Sequence, residues 1–394
     1  MAMPLTYYWR SLFVRKATTL MTVLVISAVV AVFAYMMGFA DALGHSLSVA
    51  SDDSKLIVIK GGATAESNSA IPIDDFNKLS QLTGVARDPA TGQVLVSPEM
   101  LVQVSLPRLR DEGRTNANVA VRGVTMDAFK VHQNVRPEGS LFSKAEREVI
   151  VGEAAAKQFG GLKIGDTLNL GFANDKPYKV VGYFTADGGP MESEIWGYLP
   201  SLMNAYNRTM YSSANLRLAD GADAAKVVEQ VEGPAIQLTG QTETDYWYAQ
   251  SRLMRVYLGI ANVLVVIMSI AAIFSVANTM FSVVAGRSRE LAMLRTIGFS
   301  GGQILTGLVI ESVMLSSIGG VLGCLGCWAW LSFVGNTKDM FGATTFTSMA
   351  FEIHMTPRQV LGALVLVCGV GVIGALVPAI RASRMQVVTA LREA

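Results

Sequence analysis

Four long stretches of the chain contain no Asp, Glu, Lys or Arg, and all four lie toward its two ends. They cover residues 17–40, 256–286, 312–337 and 359–380. A helix needs about 20 mostly apolar residues to cross the roughly 30 Å hydrocarbon core of a membrane. The pattern therefore predicts four transmembrane helices, placed at residues 17–40, 256–286, 304–337 and 359–380.

The first two stretches need further interpretation. The first follows Arg10, Arg15 and Lys16, as a secretory signal would, but it is longer than a signal core and lacks a small-x-small cleavage site. We therefore expect a retained helix. The second is longer than the bilayer requires at about 1.5 Å per residue, so its outer end is expected to project from the lipid as a stalk.

Between residues 56 and 241 the pattern changes to short β-rich and short helical segments separated by turn residues. Strands are predicted at 56–60, 92–96, 102–106, 119–124, 148–151, 167–172, 178–185 and 215–218, and helices at 74–82, 153–159, 200–206 and 222–231. The predicted fold class is an α-helical membrane protein with four transmembrane helices plus an extracytoplasmic α+β domain, residues 41–255, inserted between helices 1 and 2.

The distribution of basic residues predicts the orientation. Arginine and lysine precede the first span, lie between the second and third, and follow the fourth, as Arg10, Arg15, Lys16, Arg287, Arg289, Arg295, Arg381, Arg384 and Arg392. The loop between the last two spans has only Lys338 and Arg358, balanced by Asp339 and Glu352. The positive-inside rule then places both termini in the cytoplasm. We expect a cytoplasmic amphipathic segment at 1–16, a cytoplasmic loop at 287–303, a short outer loop at 338–358 and a cytoplasmic C-terminus at 381–394.

Composition supports a membrane protein and removes some functions from consideration. Hydrophobic residues make up 51% of the 394 residues and charged residues only 16%, below the share in ordinary soluble proteins. With 32 basic and 31 acidic residues, the chain has no excess of positive charge to attract nucleic acid. The pair Cys324-x-x-Cys327 lies among glycines in a predicted span without a second pair, so we expect helix packing rather than a zinc or redox site.

No pattern in the chain predicts catalysis, a metal site or a bound cofactor. His45 and His132 are isolated, and the carboxylates of the central domain are dispersed in sequence, so we expect them to be surface residues. The phosphate-binding pattern G-x-x-x-x-G-K-[ST] does not occur in the sequence. We therefore expect any energy source to come from another polypeptide.

The segment RSRELAMLRTIG, residues 287–298, predicts a short amphipathic helix in the loop between the second and third spans. Leu291, Leu294 and Ile297 recur at helical spacing among charged residues, and Gly298 suits the helix end. Such a helix can transmit motion between a partner and the membrane. The alternative is a juxtamembrane anchor whose arginines bind lipid phosphates.

These residues carry a resemblance. The sequence RELAMLRTIGFS, the following Ile-Glu-Ser at 310–312 and the glycine-rich helix resemble the permease signature of the MacB and FtsX-like superfamily. The last 17 residues, PAIRASRMQVVTALREA, resemble its closing segment, although Gln386 and Val387 stand where the family commonly has an acidic residue and a proline. Residues 148–170 and 178–184 resemble its periplasmic core.

The resemblance implies an ABC transporter permease that acts by mechanotransmission. It implies a dimer with an identical or homologous second permease and two ATPase subunits, which bind ATP and magnesium. The residues expected to contact the ATPase are Arg287, Arg289, Glu290, Leu291, Leu294 and Arg295. Closure of the ATPases would move the outside domains to export a peptide, lipid or other hydrophobic substrate, with a periplasmic adaptor as a possible further partner. The alternatives are release of a lipoprotein and activation of a periplasmic partner without transport.

Small residues and scarce charges describe the expected interior of the bundle. Gly319, Gly323, Gly326, Gly371 and Gly374 allow close contact between helices, within the bundle or the dimer. Glu311 lies at the cytoplasmic edge of the third span, and the alternatives for it are snorkelling toward the interface, pairing with a nearby arginine, or a functional role. Because intramembrane charges usually mark ion or substrate paths, their scarcity argues against a proton-coupled carrier.

Overall fold

The computed structural model describes residues 16–50, 52–109, 113–144, 146–250, 252–334 and 355–384. Of these residues, 16–41, 254–334 and 355–384 form one compact unit, and 42–50, 52–109, 113–144, 146–250 and 252–253 form the other. The predicted amphipathic segment 1–16 lies outside the described residues except for Lys16, as do most of the predicted outer loop and the end of the C-terminus.

The helices and strands are numbered here in chain order. The helices are α1 Lys16–Ala50, α2 Ile73–Lys78, α3 Ala128–Val131, α4 Glu153–Gln158, α5 Leu199–Ala205, α6 Ala224–Glu232, α7 Glu243–Gln250, α8 Arg252–Gly286, α9 Ser288–Thr296, α10 Gly301–Val334 and α11 Pro357–Ser383. The strands are β1 Lys55–Lys60, β2 Val96–Pro107, β3 Asn116–Val124, β4 Arg136–Gly139, β5 Glu148–Gly152, β6 Thr167–Leu170, β7 Lys176–Thr185, β8 Glu194–Tyr198, β9 Ser213–Arg217 and β10 Leu238–Thr242.

Four of the helices, α1, α8, α10 and α11, are long and apolar enough to cross a membrane. Their candidate spans are Thr19–Ala42, Arg255–Gly286, Gly301–Phe333 and Pro357–Ser383. Helix α11 begins with a capping box, in which Thr356 and Gln359 satisfy each other's backbone amides, and Pro357 occupies its first turn. Helix α1 continues to Ala50, ten residues beyond the end expected from charge alone.

The helical unit has its own apolar core. Helices α1, α8, α10 and α11 contribute to it, and its buried members include Ile26, Val276, Leu308, Val367 and Ala379. The last turns of α8 and the helix α9 add Val284 and Leu291 to the same core. The short helix between the second and third spans is therefore packed onto the long helices.

The central unit is built on one mixed sheet of ten strands. Its order is β10-β1-β9-β2-β3-β8-β5-β7-β4, and β6 also pairs with β7. The pairs β3–β8 and β5–β7 are parallel, and the other pairs are antiparallel. Strand β7 illustrates why the sequence forms strands here, since Tyr178, Val180 and Phe184 are buried and alternate with more exposed residues.

Strand β2 joins two parts of this sheet. Its first residues, from Val96 to Glu99, pair with β9, and its remainder, from Met100 to Pro107, pairs with β3. A separate apolar core covers each part. Leu56, Leu216, Leu238, Val227 and Leu79 belong to the first core, and Val121, Val151, Tyr178, Leu199 and Leu202 belong to the second. The partner of β2 changes between Glu99 and Met100.

Candidate functional site

Helix α9 has defined ends on both sides. Arg287 occupies its N-cap position, and the helix ends after Thr296. Gly298 then has φ 109°, a conformation that costs glycine little. The backbone N–H of Phe299 donates to the carbonyl of Leu294 at 3.1 Å and that of Gly298 to Arg295 at 3.2 Å, which closes the last turn as in a glycine-terminated helix.

The helix presents two unlike faces. Leu291 is 6% exposed and Ala292 is also buried, so this face packs against the long helices. The opposite face is open. Arg289 and Glu290 are exposed there. Met293 is 46% exposed and Ile297 is 77% exposed, beside them.

The structure separates the six residues that the sequence assigned to ATPase contact. Arg289 and Glu290 lie on the open face, Leu294 is partly buried, and Leu291 faces the bundle. The exposed apolar residues here are Met293 in the helix and Ile297 directly after it, and neither is among the six expected contacts. Apolar residues lie on both sides of this helix, and their spacing does not show which side is buried. Only the packing in the structure distinguishes the buried side from the exposed side.

The two arginines at the ends of α9 engage the chain's own helices. The Nη1 atom of Arg287 lies 3.4 and 3.5 Å from the two carboxylate oxygens of Glu311 in α10. The Nε of the same arginine donates to Glu290 at 3.1 Å. Arg295 donates from Nη1 to the carbonyl of Ser383, the last residue of α11, at 3.3 Å. Glu311 is 2% exposed and therefore depends on its pairing.

Four of the five glycines expected to pack lie at close helix contacts. A Cβ added at Gly319 would lie 2.7 Å from Ile26, and one at Gly323 would lie 2.6 Å from the carbonyl of Ser27, both in α1. A Cβ at Gly371 would lie 2.7 Å from Ser316 in α10, and one at Gly374 would lie 2.8 Å from Val276 in α8. Gly326 differs, because a Cβ there would meet no atom within 4 Å.

Hydroxyl groups within the spans connect neighbouring helices. Ser27 donates to the carbonyl of Gly319 at 2.9 Å, and Ser312 donates to that of Gly371 at 2.8 Å. Thr22 and Thr279 share a hydrogen bond between α1 and α8. These bonds satisfy polar atoms that lipid could not satisfy. The two serine bonds join helix pairs that the glycines also bring close, α1 with α10 and α10 with α11.

A buried ion cluster lies in the central unit where β2 changes partner. Arg122 of β3 uses all five N–H donors of its guanidinium on three glutamates. It bonds Glu194 at 2.7 and 2.8 Å, Glu66 at 2.9 and 3.0 Å, and Glu99 at 2.6 Å. His132 Nε2 lies 2.7 Å from the other oxygen of Glu99. The three carboxylates, the guanidinium and the imidazole are all buried.

Further donors complete this cluster. Ser213 donates to Glu66 at 2.5 Å, and the indole of Trp196 donates to Glu194 at 2.8 Å. Burial by itself would raise the pKa of Glu99, but the charges of His132 and Arg122 outweigh it and lower that pKa to about 2. Burial would lower the pKa of Arg122, and the surrounding glutamates raise it instead.

The expectation that His132 and the dispersed carboxylates are surface residues is therefore wrong for this cluster. The five residues are far apart in sequence. Strands β2, β3 and β8 bring Glu99, Arg122 and Glu194 together, while Glu66 comes from a short 3-10 turn and His132 follows α3. A second buried pair joins Lys55 of β1 to Glu243 of α7 at 2.6 Å. Among the residues that the structure describes, no group of three or more His, Cys, Asp or Glu side chains could hold a metal ion.

Two family models match this chain. The model described as MacB-like periplasmic core domain matches residues 17–233, and the model described as FtsX-like permease C-terminal matches residues 262–387. The second match contains α9 and the last two spans. The first match contains α1 and most of the central unit.

Relatives agree with the two models. The macrolide export ATP-binding/permease protein MacB 1/2 of Paracoccus denitrificans is 24% identical over 330 residues, which is 78% of this chain and 46% of the relative. The uncharacterized ABC transporter permease YknZ of Bacillus subtilis is 23% identical over 402 residues, 96% of this chain and 95% of YknZ. The chain thus spans about half the length of the MacB relatives of Paracoccus and Nitrobacter.

The crystallised periplasmic region of MacB from Actinobacillus actinomycetemcomitans aligns with 52% of this chain and 95% of its own, at 14% identity and a TM-score of 0.36. The two family models, rather than this structural likeness, identify the family. The four apolar helices and the matched central domain indicate a multi-pass membrane protein with a periplasmic domain. The chain belongs to the MacB/FtsX-like superfamily of ABC transporter permeases.

Proposed function

We propose that this chain is the permease subunit of a transporter that couples ATP hydrolysis by a separate ATPase to movement of the periplasmic domain. That movement drives export of a peptide, lipid or other hydrophobic substrate by mechanotransmission. The observation that carries the proposal is helix α9, whose inner face is packed onto the spans while Arg289, Glu290, Met293 and Ile297 remain open to a partner.

The ATPase is proposed as a separate subunit because YknZ, of which this chain covers 95%, is named an ABC transporter permease. The MacB relatives, of which this chain covers about half, are named ATP-binding/permease proteins. We propose two ATPase copies, which hold ATP and magnesium, beneath a pair of permeases that are identical or homologous.

The proposed location is the inner (plasma) membrane, with the N and C termini in the cytoplasm. Basic residues favour this orientation, since Arg287, Arg289 and Arg295 lie in the short segment between the second and third spans. With α8 crossing the membrane, α9 would lie on the side opposite the periplasmic domain. That side is where a cytoplasmic ATPase could reach its open face.

The decisive experiment is affinity purification of the tagged full chain from its native membrane, followed by mass spectrometry of retained proteins. The test variant carries Met293→Asp and Ile297→Asp, which place charge on the open face without entering the packed face. Leu291→Asp is a poor choice, because Leu291 is buried against the long helices and its replacement would disturb the bundle.

The matched control is Phe172→Asp, which replaces an apolar residue that is 82% exposed in the periplasmic domain. We expect wild type and the control to retain an ABC ATPase, and the double variant to retain at least about tenfold less, since a central desolvated contact contributes at least about 1.4 kcal/mol. Wild type that retains no ATPase, or a double variant that retains as much as wild type, would contradict the proposal.

A further inference from the structure

Glu311 is a carboxylate in a membrane-spanning helix and is only 2% exposed. A buried charge is stable only when a partner compensates for its lost hydration, and removing that partner is strongly unfavourable. The guanidinium of Arg287 lies 3.4 Å from this carboxylate. The pair therefore joins the start of α9 to the body of α10.

Arg287 also connects Glu311 to the surface of α9. Its Nε lies 3.1 Å from the carboxylate of Glu290, three residues along the chain, and its side chain is 18% exposed. The planar guanidinium can serve two carboxylates at once, which a lysine ammonium cannot do in a fixed geometry. One arginine thus links the open face of α9, through Glu290, with the buried interior of the bundle.

The other end of α9 meets α11. Arg295 donates to the carbonyl of Ser383 at 3.3 Å. The first residue of α10, Gly301, approaches the same carbonyl, since a Cβ added there would lie 2.9 Å from it. Between these two ends, Leu291 and Ala292 are buried against the long helices. Helix α9 is therefore held at both ends and along one face.

We propose that Arg287 and Glu311 are positioning residues that form the joint through which α9 transmits displacement to α10, an inference that rests on the proposed function of the open face. When a partner displaces Met293 and Ile297, the displacement is passed to α10 only if α9 and α10 move together as a rigid unit. Without the ion pair between Arg287 and Glu311, α9 would still contact the ATPase, but it would rotate about its remaining contacts with the bundle.

The joint is first tested without any ATPase. Ile297→Cys, at the exposed end of α9, is spin-labelled in a full-length chain in nanodiscs whose Cys324, Cys327 and Cys368 are replaced by alanine. We expect Glu311→Gln and Arg287→Gln each to raise the mobile fraction of the spectrum at least about threefold. Arg289→Gln, an exposed arginine of the same helix, is the matched control and should leave the spectrum unchanged.

The double variant Arg287→Gln with Glu311→Gln distinguishes a joint from two separate effects. If the two residues act through each other, the double variant should be no more mobile than the stronger single variant. If they act independently, the two increases in the mobile fraction should add. Arg287→Lys keeps the charge but not the planar guanidinium, so we expect it to recover only part of the immobile fraction. Additive single effects, or a Glu311→Gln spectrum identical to wild type, would overturn the proposal.

Coupling is then measured with the cognate ATPase added. Glu311 does not lie on the open face, so Glu311→Gln should retain the ATPase within about twofold and lose about tenfold of the permease-dependent stimulation of ATP hydrolysis. Normal stimulation in Glu311→Gln overturns the joint. If wild type itself retains no ATPase, the proposed function fails while the spin-label result still decides the joint. A Glu311→Gln chain that does not insert into the membrane also overturns the proposed joint, because Glu311 would then be required for folding.

Discussion

Arg122 compensates the charges of three glutamates inside the periplasmic domain. It neutralises parts of three buried glutamates, two of them through bidentate contacts. Removal of one partner from a buried ion pair typically costs about 3–5 kcal/mol, because the remaining charge stays buried without compensation. Here Glu66, Glu99 and Glu194 would remain.

We therefore expect Arg122→Met to lower the unfolding temperature of the purified full chain by about 6–20 °C, measured by tryptophan fluorescence. The control is Arg136→Met, which breaks a pair with Asp187 that is mostly exposed and 3.6 Å long. Surface pairs contribute about 1 kcal/mol or less, so the control should shift the temperature by no more than about 2–4 °C. Equal shifts in the two variants would show that the buried cluster contributes no more to stability than a surface ion pair.

Glu99 predicts an acid-dependent loss of stability. Its pKa in the folded chain, about 2, lies below its ordinary value, because the charges of His132 and Arg122 outweigh the effect of burial. A lowered carboxyl pKa means that the ionised group stabilises the fold. This contribution is complete above the ordinary value near 4.5 and is lost as the pH falls toward about 2.

The measurable consequence concerns the slope of stability against pH. Below pH 4.5, the wild type should lose up to about 1.4 kcal/mol per pH unit through this one proton, and Glu99→Gln should lack that part of the slope. Urea unfolding midpoints of the full chain at pH 5, 4 and 3 provide the measurement. Glu146→Gln, which removes an exposed carboxylate of the same domain, is the control. A Glu99→Gln slope equal to that of wild type would contradict the assigned role of Glu99.

At the scale of helices, two glycines of α10 provide a matched pair. An alanine Cβ at Gly323 would lie 2.6 Å from the carbonyl of Ser27 and 2.7 Å from Val30, closer than real contacts allow. At Gly326, three residues further along, it would meet nothing within 4 Å. The intrinsic preference of helices for alanine over glycine acts equally at both positions.

We expect Gly323→Ala to destabilise the bundle by about 1–3 kcal/mol relative to Gly326→Ala, because α1 and α10 must separate to admit the methyl group. The measurement is the temperature at which half of the detergent-purified chain loses its monodisperse elution. If Gly323→Ala is as stable as Gly326→Ala, the close contact between α1 and α10 is not required.

The long helices could be read from the sequence, because length without charge is a signal that few other structures produce. The second span was expected at 256–286, and α8 covers Arg252–Gly286. Helix α10 begins at Gly301 rather than at 304, because Ser300 and Gln303 cap its start. The spacing Ser-x-x-Gln is visible in the sequence and could have placed that boundary.

The strands were less predictable, because their pairing partners are distant in the chain. Strands β4, β8 and β10 were not predicted, and the segments expected at 92–96 and 102–106 are replaced by the single strand β2. All four residues of β4 are exposed, and β8 begins at the buried Glu194. Neither shows the alternation of apolar and polar residues on which strand prediction relies.

The open face of α9 could not be predicted from the sequence either, because it depends on contacts with distant parts of the chain. The sequence gives Leu291, Leu294 and Ile297 similar weight, because a helical period marks apolar positions without saying which neighbour they meet. Only the packed bundle distinguishes the buried Leu291 from Ile297, which is 77% exposed. The pairing of Arg287 with Glu311 was open to prediction, since an acidic residue at the edge of a span requires a partner.

At the scale of the whole molecule, the orientation in the membrane can be tested at two exposed residues. Phe172 belongs to the periplasmic domain, and Ile297 follows helix α9. Between the central domain and α9, the described residues contain one candidate membrane span, in α8. The two residues should therefore lie on opposite sides of the membrane, and the basic residues near α9 favour the cytoplasm for Ile297.

The measurement uses a membrane-impermeant maleimide on Phe172→Cys and Ile297→Cys, each in a full chain whose Cys324, Cys327 and Cys368 are replaced by alanine. In spheroplasts with an intact inner membrane, Phe172→Cys should be labelled within minutes and Ile297→Cys only after the membrane is permeabilised. In inverted vesicles the order should reverse. Exposure of both side chains removes burial as an explanation of failure to react. Labelling of Ile297→Cys in intact spheroplasts would place α9 outside the cytoplasm, where no cytoplasmic ATPase could bind it.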